Sequence, residues 1–422
     1  MAVTVPQSTE QIDYADLYAR WERGNWCATE IDFSRDREDW LHRFTDEQRR
    51  GALWLYTLFF HGENSVADNL SPYIDAAPLE EQKYFLATQQ VDEARHAVFF
   101  HRFMHEVIGV GDGSLAGGLR ATASELSWGH RTLFKRLDRM ADELRRDRSP
   151  RKLAAAVTLY HVIVEGTLAQ PGQHIIETSL ERLGLLPGFR EGLRQVAIDE
   201  QRHIAFGVRL LADLYKEDPL RTQDAIVDII REVLQYTLSV PIPPGWDKSY
   251  TECFGYSVLD LFEEGARSNE ARLRAIGLPL EQISHFPFPM DVSPRERARR
   301  ALVLLHAGLL GQRNGPIGRD PATMQILFDL LAVNARGAEV PHGTTIQWDF
   351  RDHEPWYLEL NGSHKVAVQG RLAKPTVRLR MRFDDFAEVV SKRSSPPKLM
   401  AKGRLRPWGD PRVLLKLQRL FN

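Results

Sequence analysis

The sequence is poor in cysteine, and its apolar residues are scattered rather than gathered in long runs. Its 422 residues include two cysteines, Cys27 and Cys253, too few for a disulfide framework or a thiolate metal site. No apolar run approaches the ~18 residues of a membrane span, and the N-terminus lacks the basic-then-apolar pattern of a signal peptide. We therefore expect a cytoplasmic protein without a transmembrane segment.

Charge is divided unequally along the chain. Hydrophobic residues make up 43% and charged residues 27% of the sequence, ordinary values for a globular protein. Residues 291–422 carry 23 Lys and Arg against 13 Asp and Glu, whereas the rest carries 32 against 44. This asymmetry predicts two modules with different partners. The basic module suits an acyl-CoA phosphate, an anionic membrane surface or the acidic front module, and no nucleic-acid motif is present.

Two different periodicities divide the chain. Residues 12–280 repeat apolar residues at three- and four-residue steps, as at Leu53, Tyr56 and Phe60, which predicts an all-α front part with a helical bundle. After a proline-containing joint at 285–289, apolar and polar residues alternate, which predicts strands with one buried face. We expect a helical domain over 1–289 and a smaller α+β domain over 290–422, with its core at about 320–422.

Two helical segments of the front part repeat one motif. DEARH stands at 92–96 and DEQRH at 199–203. Each contains Glu-x-x-His, whose i,i+3 spacing places a carboxylate and an imidazole on one helix face. Each follows, by 30 and 35 positions, a glutamate among apolar residues, Glu63 and Glu165.

Four glutamates in one bundle core would repel each other and lose hydration unless cations were present. Two divalent ions would offset them, and carboxylate with imidazole suits iron or manganese. Asp92 and Asp199 are expected to accept the free ring N–H of a histidine on the opposing helix. Arg95 and Arg202 are expected to pair with acids near the site, with plain surface charge as the alternative.

With these residues the front part resembles the ferritin-like superfamily, in its ribonucleotide reductase small-subunit-like branch and especially the R2-like ligand-binding oxidases. The resemblance implies an all-α ferritin-like bundle with a dimetal-carboxylate site, Fe/Fe or Mn/Fe, and O₂ as oxidant. Carried over position by position, it implies the metal ligands Glu63, Glu93, His96, Glu165, Glu200 and His203.

The resemblance also implies a redox or crosslinking role for Tyr160. In the R2-like oxidases, a tyrosine five residues before the third glutamate becomes ether-linked to a valine two residues after the first. Tyr160 occupies the tyrosine position, whereas Ser65 stands at the valine position and Val66 follows it. This difference puts the crosslink in question, but not the metal site.

Related classes fit less well or stay open. Reductase small subunits hold a radical tyrosine four residues after the first histidine ligand, where this chain has Phe100, and they end in a short docking tail. Arylamine N-oxygenases add a histidine four residues before the last glutamate, where this chain has Val196. Soluble acyl-carrier desaturases share the Glu-x-x-His pairs and remain an alternative.

The end of the chain, from about residue 340, resembles the sterol carrier protein 2 family. The resemblance rests on TTIQWDF, EPWYLELNG, VRLRMRFDDFAEVV and KLMAKGRLRPWGDPRVLLKLQRLF, the last read as a strand ending at Leu405 and a final helix. That family forms an apolar tunnel for sterols, fatty acids or acyl-CoA; a packed core or a docking domain is the alternative. The implied lining consists of Trp348, Phe350, Trp356, Leu358 and Met381.

The combined pattern predicts a two-domain oxidase that acts on a C–H bond of a fatty-acyl or other apolar substrate, with an unidentified electron donor. By analogy we expect a homodimer. Two alternatives stay open. One is a lipid-binding or lipid-sensing protein whose metal site is structural or stores iron. The other is a radical-generating subunit of the reductase type.

Overall fold

The structure is a computed structural model, and it describes residues 13–283, 285–313, 315–362 and 364–421. The chain forms two compact units, the first ending at Leu278 and the second beginning at Pro279. The domain boundary that the sequence places between residues 289 and 290 stays a prediction.

The first unit is helical throughout its described residues, which confirms the all-α front part. Two π-helical segments, Met104–Ile108 and Thr158–Ala169, interrupt the α-helices. The helices are α1 (Tyr14–Arg23), α2 (Ser34–His42), α3 (Asp46–Asn69), α4 (Ser71–Ala76), α5 (Glu80–Phe103), α6 (Leu115–Thr122), α7 (Trp128–Arg146), α8 (Pro150–Val157), α9 (Gln170–Leu183), α10 (Pro187–Glu217), α11 (Pro219–Ser239), α12 (Ser249–Glu252) and α13 (Val258–Ile276).

Local sequence signals determine where the long helices begin. α3 begins at a capping box, in which Thr45 Oγ1 accepts from the Gln48 N–H and Gln48 Oε1 accepts from the Thr45 N–H. These bonds satisfy two N–H groups that the helix leaves without partners. α9 ends at Gly184 in the left-handed region, with φ at 63°, and α10 begins at Pro187, as the C-terminal glycine and N-terminal proline preferences predict.

Two glycines let α10 lie very close to its neighbours. A Cβ atom on Gly192 would be 2.1 Å from Phe99 of α5, and one on Gly207 would be 2.3 Å from His161. α10 therefore packs against both α5 and the helical run 150–183, while α3 packs against α5. These four elements surround one core, where the two Glu-x-x-His helices meet.

The continuous helical run Pro150–Leu183 is, by length and composition alone, long and apolar enough to cross a membrane. The expectation of no such segment therefore has one exception. The run belongs to the bundle core, and 72% of its most apolar window is buried, so it is weak evidence for a membrane span. The rest of the described chain holds no other helix of this kind.

The second unit contains a five-stranded sheet in the order β3-β2-β1-β4-β5, in which β1 and β4 are parallel and the other neighbours antiparallel. This architecture confirms the predicted small α+β fold. The strands are β1 (Thr344–Phe350), β2 (Trp356–Asn361), β3 (His364–Gln369), β4 (Val377–Met381) and β5 (Arg406–Gly409). The helices are α14 (Pro294–His306), α15 (Pro321–Asn334), α16 (Phe383–Val390), α17 (Pro396–Ala401), α18 (Pro411–Leu414) and α19 (Leu417–Phe421).

One face of this sheet is covered by a tightly packed aromatic cluster. Phe328 of α15 stacks on Trp356 at 4.6 Å between ring centroids and on Phe386 of α16 at 5.5 Å. The predicted lining residues are all buried on this face, and their role in lipid binding stays a prediction. They are Trp348, Phe350, Trp356, Leu358 and Met381.

The sequence predicts a strand that ends at Leu405, and this prediction is wrong. Its place is taken by α17 and a turn in which Gly403 has φ at 65°, because prolines at the first helical positions start a helix there. The strand begins one residue later, at Arg406, and pairs with β4. β3 is missed by the sequence analysis because its inner residues are all half-buried, so that HKVAVQ has no clear alternation.

Candidate metal centre

Four elements of the first unit bring the six predicted metal ligands into one buried cluster. Each element contributes one glutamate, two also contribute a histidine, and every one of these residues is at most 5% exposed. The members are Glu63 on α3, Glu93 and His96 on α5, Glu165 in the π-helical segment, and Glu200 and His203 on α10.

The cluster consists of two groups of ligand atoms that share two glutamates. Within each group, all atoms lie within 4.8 Å of one another, and Glu93 and Glu200 belong to both. Each group can hold one ion, so the shared carboxylates lie where they would bridge a pair of ions. The other members are Glu63 and His96 in one group and Glu165 and His203 in the second.

The histidine Nδ1 atoms face the carboxylates. His96 Nδ1 lies 3.4 Å from Glu63 Oε2 and 3.5 Å from Glu93 Oε2. His203 Nδ1 lies 3.2 Å from Glu93 Oε1 and 3.6 Å from Glu165 Oε1. These nitrogen and oxygen atoms surround a common centre and do not form well-aligned pairs.

Five buried oxygen and nitrogen atoms of the cluster, all potential metal ligands, have no hydrogen-bond partner. They are Nδ1 of both histidines and Oε2 of Glu93, Glu165 and Glu200. A buried polar atom without a partner costs about 1–3 kcal/mol, and a charged one more. Cations that accept these lone pairs remove that cost, and the mixture of carboxylate and imidazole suits iron or manganese. The donor set therefore fits two transition-metal ions.

Burial makes it difficult for the four carboxyl groups to be ionised together. It raises the pKa of Glu63 and of Glu165 to about 7, and burial with the charge of Glu165 raises the pKa of Glu200 well above its usual range. Burial also opposes ionisation of Glu93, but the two histidine rings beside it outweigh burial and hold that pKa well below the usual range. Metal ions must therefore displace protons when they bind.

Two aspartates orient the histidines from behind. His96 Nε2 lies 3.1 Å from Asp199 Oδ2, and His203 Nε2 lies 3.2 Å from Asp92 Oδ2. Since Nε2 donates its hydrogen to a carboxylate, Nδ1 keeps its lone pair for a metal ion. Each aspartate lies on the helix opposite the histidine that it contacts.

Arg95 and Arg202 connect the two aspartates. Arg202 bonds Asp199 and lies 3.2 Å from Asp92, while Arg95 lies 3.0 Å from Asp92 and 3.6 Å from Asp199. Both arginine side chains are largely buried, so they are not plain surface charge. Burial opposes ionisation of Asp199, but the hydrogen bond from His96 and the charge of Arg202 hold its pKa at about 2.

Two tryptophans of the N-terminal segment also donate hydrogen bonds to these aspartates. Trp21 Nε1 donates to Asp92 Oδ1 at 2.9 Å, and Trp26 Nε1 donates to Asp199 Oδ2 at 2.8 Å. Neither tryptophan could be predicted from the sequence, because the two lie 71 and 173 residues away from their partners and belong to no motif.

Gln89 is a further residue of the site that was not predicted from the sequence. Its Nε2 donates to Glu165 Oε1 at 2.8 Å, and its Oε1 lies 3.1 Å from His161 Nε2. Gln89 precedes Glu93 by one helical turn, and this spacing could have revealed it. Burial lowers the pKa of His161 to about 3, so His161 is neutral and can donate to the amide oxygen.

Tyr160 lies inside the centre. Its hydroxyl donates to Glu93 Oε1 at 2.8 Å, and its ring is fully buried. A π-helix closes its hydrogen bonds between residues five apart, so the segment 158–169 brings Tyr160 and Glu165 toward the same face. Phe100, at the position of the reductase radical tyrosine, stacks instead on Phe59.

The remaining histidines lie outside both groups of ligand atoms. His101 and His105 stack on one another at 6.4 Å between centroids, and His61 Nε2 lies 2.9 Å from Thr122 Oγ1. Among the described residues, the candidate metal groups are confined to the central cluster.

An apolar cavity opens beside the cluster, with about 740 Å³ of empty space when its open mouth is included. Ligand sites in proteins are typically clefts of this kind, with apolar walls and a few polar groups. The four cluster glutamates line it, and nearly all other lining residues are apolar. Its wall on α3 runs from Trp54 past Glu63 to Val66, twelve residues along or about 18 Å at the rise of an α-helix. Leu58, Phe59 and Leu168 also contribute to the lining.

A helical bundle with four carboxylates and two imidazoles in its core defines the class of ferritin-like dimetal-carboxylate proteins. A family model of the ribonucleotide reductase small chain matches residues 7–240, more than half of the chain. The chain therefore belongs to the ribonucleotide reductase small-chain family. The model of the SCP-2 sterol transfer family matches residues 333–422. Both resemblances seen in the sequence are confirmed.

The solved structures similar to this chain include R2-like ligand-binding oxidases. The oxidase from Sulfolobus acidocaldarius is 26% identical, and the match covers 69% of this chain and 94% of that chain with a TM-score of 0.55. Two variants of an R2-like ligand-binding oxidase with an anaerobically reconstituted Mn/Fe cofactor are 27% and 26% identical. They cover 63% of this chain and 94% and 93% of their own, with TM-scores of 0.53 and 0.55.

Proposed function

We propose that this protein is an oxidoreductase that uses O₂ and a pair of metal ions, Fe/Fe or Mn/Fe, to oxidise a C–H bond of a fatty-acyl or other apolar substrate. One observation carries the proposal: the glutamates with unpartnered buried oxygens also line an apolar cavity. The Mn/Fe cofactor of the similar oxidases supports the choice of metals. Hydroxylation, desaturation and oxidative coupling are all compatible with this site.

The six clustered side chains would hold the ions, and Glu93 and Glu200 would bridge them. When bound, the metal pair supplies the electrons and the Lewis acidity that activate O₂. Asp92 and Asp199 keep Nδ1 of each histidine free of a proton, and the two arginines hold those aspartates in place. The ligands are Glu63, Glu93, His96, Glu165, Glu200 and His203.

The cavity would hold an apolar chain with one carbon beside the glutamates. A substrate that fills this apolar cavity would displace water, so that a reactive oxidant is not lost to solvent. Hydroxylation of a C–H bond by O₂ forms an alcohol and water and consumes two electrons and two protons. An external electron donor is therefore a required partner.

Tyr160 is our candidate for a redox-active side chain. It is buried, and its hydroxyl donates to the bridging Glu93, where it could give up an electron and a proton together. Because Ser65 stands at the position of the crosslinked valine, we assign Tyr160 the redox role and not the crosslinking role. Tyr160→Phe should leave the metal content unchanged and alter the products of O₂ reduction.

The second unit would store or present the apolar substrate. Its membership of a sterol-transfer family and the buried apolar face around Trp348 and Trp356 support this role. Extraction of the purified protein with organic solvent, followed by mass spectrometry, tests it. A bound lipid without O₂-dependent turnover would instead favour the lipid-sensing alternative, in which the metal site is structural or stores iron.

The exposed face of α5 supports a homodimer. Tyr84, Ala87, Val91, Ala94 and Val98 are exposed along this helix, and the three larger side chains are 56%, 51% and 42% exposed. Their spacing is the seven-residue repeat of a helix–helix seam. A second copy packed against this stripe would cover it. Val91→Arg should shift the molar mass measured by light scattering to that of one chain, whereas Glu81→Arg on the same helix should not.

Metal content tests the proposal most directly. The protein expressed with iron and manganese should hold close to two ions per chain by elemental mass spectrometry. Glu93→Ala should lose most of both ions, because Glu93 belongs to both groups, whereas Glu81→Ala, at an exposed position of the same helix, should keep them. A folded protein without metal, or unchanged O₂ consumption in Glu93→Ala and Glu200→Ala, would refute the oxidase function. Stable association with a large catalytic partner would favour the radical-generating alternative.

A further inference from the structure

The outer face of strands β4 and β5 carries arginines and an exposed tryptophan. The register places Arg378 opposite Trp408 and Arg380 opposite Arg406, so these four side chains share one face. That face is opposite the buried face of Leu379. The Arg378 guanidinium lies 5.7 Å from the centre of the Trp408 ring, which holds the ring over the sheet.

Part of the positive charge in and around β5 has no acidic partner. Residues 398–416 contain six Lys and Arg and a single acidic residue, Asp410, which already pairs with Arg412. Arg404 pairs with Asp385 of α16, and Arg378 lies 3.5 Å from Asp349. Arg380, Arg406 and Lys402 are exposed and make no ion pair with any residue that the structure describes. Such a surface attracts anions over a Debye length.

The same segment also exposes large apolar side chains. Met400 is 48%, Trp408 43% and Leu415 84% exposed, and in the described part of the second unit these are the exposed large hydrophobic residues. Basic residues mixed with a protruding tryptophan and aliphatic side chains are typical of surfaces that lie in the interface of a membrane.

We propose that residues 398–416, together with Arg378 and Arg380, form a surface that docks on bilayers containing anionic phospholipids. Lipid phosphates and carboxylates would meet the arginines and lysines, and Trp408, Met400 and Leu415 would enter the headgroup region. The exposed aliphatic side chains favour a bilayer over a nucleic acid, since a phosphate backbone offers them no apolar partner. This inference goes beyond the proposed oxidase function and does not depend on the metal centre.

Co-sedimentation of the full chain with lipid vesicles tests the proposal. The protein should pellet with vesicles of equal parts phosphatidylcholine and phosphatidylserine, and much less with phosphatidylcholine alone. Binding should weaken as salt rises. Each basic residue near an anionic membrane contributes roughly fivefold in affinity. The double variant Arg380→Glu/Arg406→Glu should therefore bind at least about twentyfold more weakly.

A matched control separates this surface from net charge. Arg37→Glu/Arg146→Glu changes two exposed arginines of the first unit that also lack ion pairs among the described residues, and it should bind like the unaltered protein. Trp408→Ser/Leu415→Ser should lose the binding that survives at high salt. Unchanged metal content and thermal unfolding would show that each variant is folded.

Three results would overturn the proposal. The first is equal binding to neutral and anionic vesicles. The second is an equal loss of binding in the two double charge variants. The third is binding of duplex DNA at the same protein concentration and through Arg380 and Arg406, which would identify a polyanion site instead of a membrane surface.

Discussion

Replacing Asp199 by asparagine should weaken one metal position of the cluster more than the other. The Asp199 carboxylate accepts hydrogen bonds from His96, Trp26 and Arg202, and His96 belongs to one of the two groups of ligand atoms. An asparagine offers one oxygen to three donors and carries no charge. His96 then loses the partner that keeps its proton on Nε2.

The size of the effect follows from the role of Asp199 behind a metal ligand. Loss of such a partner typically weakens metal affinity 10- to 100-fold, or about 1.4–2.8 kcal/mol. Asp92 contacts His203 in the same manner, so Asp92→Asn should weaken the other position by a similar amount. The double variant should lose both ions.

Titration of the loaded protein with a chelator, followed by elemental mass spectrometry, measures these affinities. At a chelator concentration that leaves the unaltered protein with two ions, Asp199→Asn should retain close to one. Asp68→Asn, an exposed aspartate on α3, should retain two. Asp199→Asn also removes a buried partner of Arg202, so the comparison must be made on protein shown to be folded by circular dichroism. Equal retention of both ions by Asp199→Asn would refute the orienting role of this residue.

Three further predictions concern packing, the cavity and pH. Gly207→Ala should lower the free energy of unfolding by about 1–3 kcal/mol, because its Cβ would overlap His161. Gly62→Ala should not lower it, because the nearest neighbour of that Cβ would be 3.5 Å away. Equal free energies of unfolding for the two variants, measured by denaturant titration, would contradict the close packing of α10. Ala169→Phe should fill the cavity and abolish substrate turnover while elemental analysis still finds two ions; undiminished turnover would show that the substrate binds elsewhere. Burial lowers the pKa of His130 from 6.5 to about 3 in the folded protein. As the pH falls below 6.5, this histidine is therefore protonated in the unfolded chain but not in the folded one. The free energy of unfolding should then fall by up to about 1.4 kcal/mol per pH unit. In urea titrations at pH 7 and pH 5, His130→Gln should lose less stability than the unaltered protein, and an equal loss would refute the assignment.

Much of the metal centre could be predicted from the sequence because metal chemistry restricts both residue type and spacing. A carboxylate and an imidazole three residues apart on a helix are visible in a short window, and the repeat of DEARH as DEQRH made chance improbable. The structure places Glu63 and Glu165 in the same cluster, as their positions upstream of the two motifs predict. The predicted pairing of Arg95 and Arg202 with acids is also seen in the structure.

The second unit was harder to predict in detail. β1, β2 and β4 follow from their alternation, whereas β3 and β5 do not, because β3 has no fully buried residue and β5 is a four-residue strand at an edge. Paired prolines before Lys398 turn the expected strand into a helix. Edge strands bury neither face well, so their sequences contain little periodic signal.

The sequence by itself determined the helical bundle, the two-part organisation and the two Glu-x-x-His pairs, since each is visible as a local pattern of residue types. Only the tertiary structure decided which side chains surround those ligands. Trp21 and Trp26 behind the aspartates, Gln89 on Glu165 and the apolar cavity all arise from segments far apart in sequence. Contacts of this kind depend on how helices pack and leave no fixed spacing in the chain, so no local pattern could have revealed them.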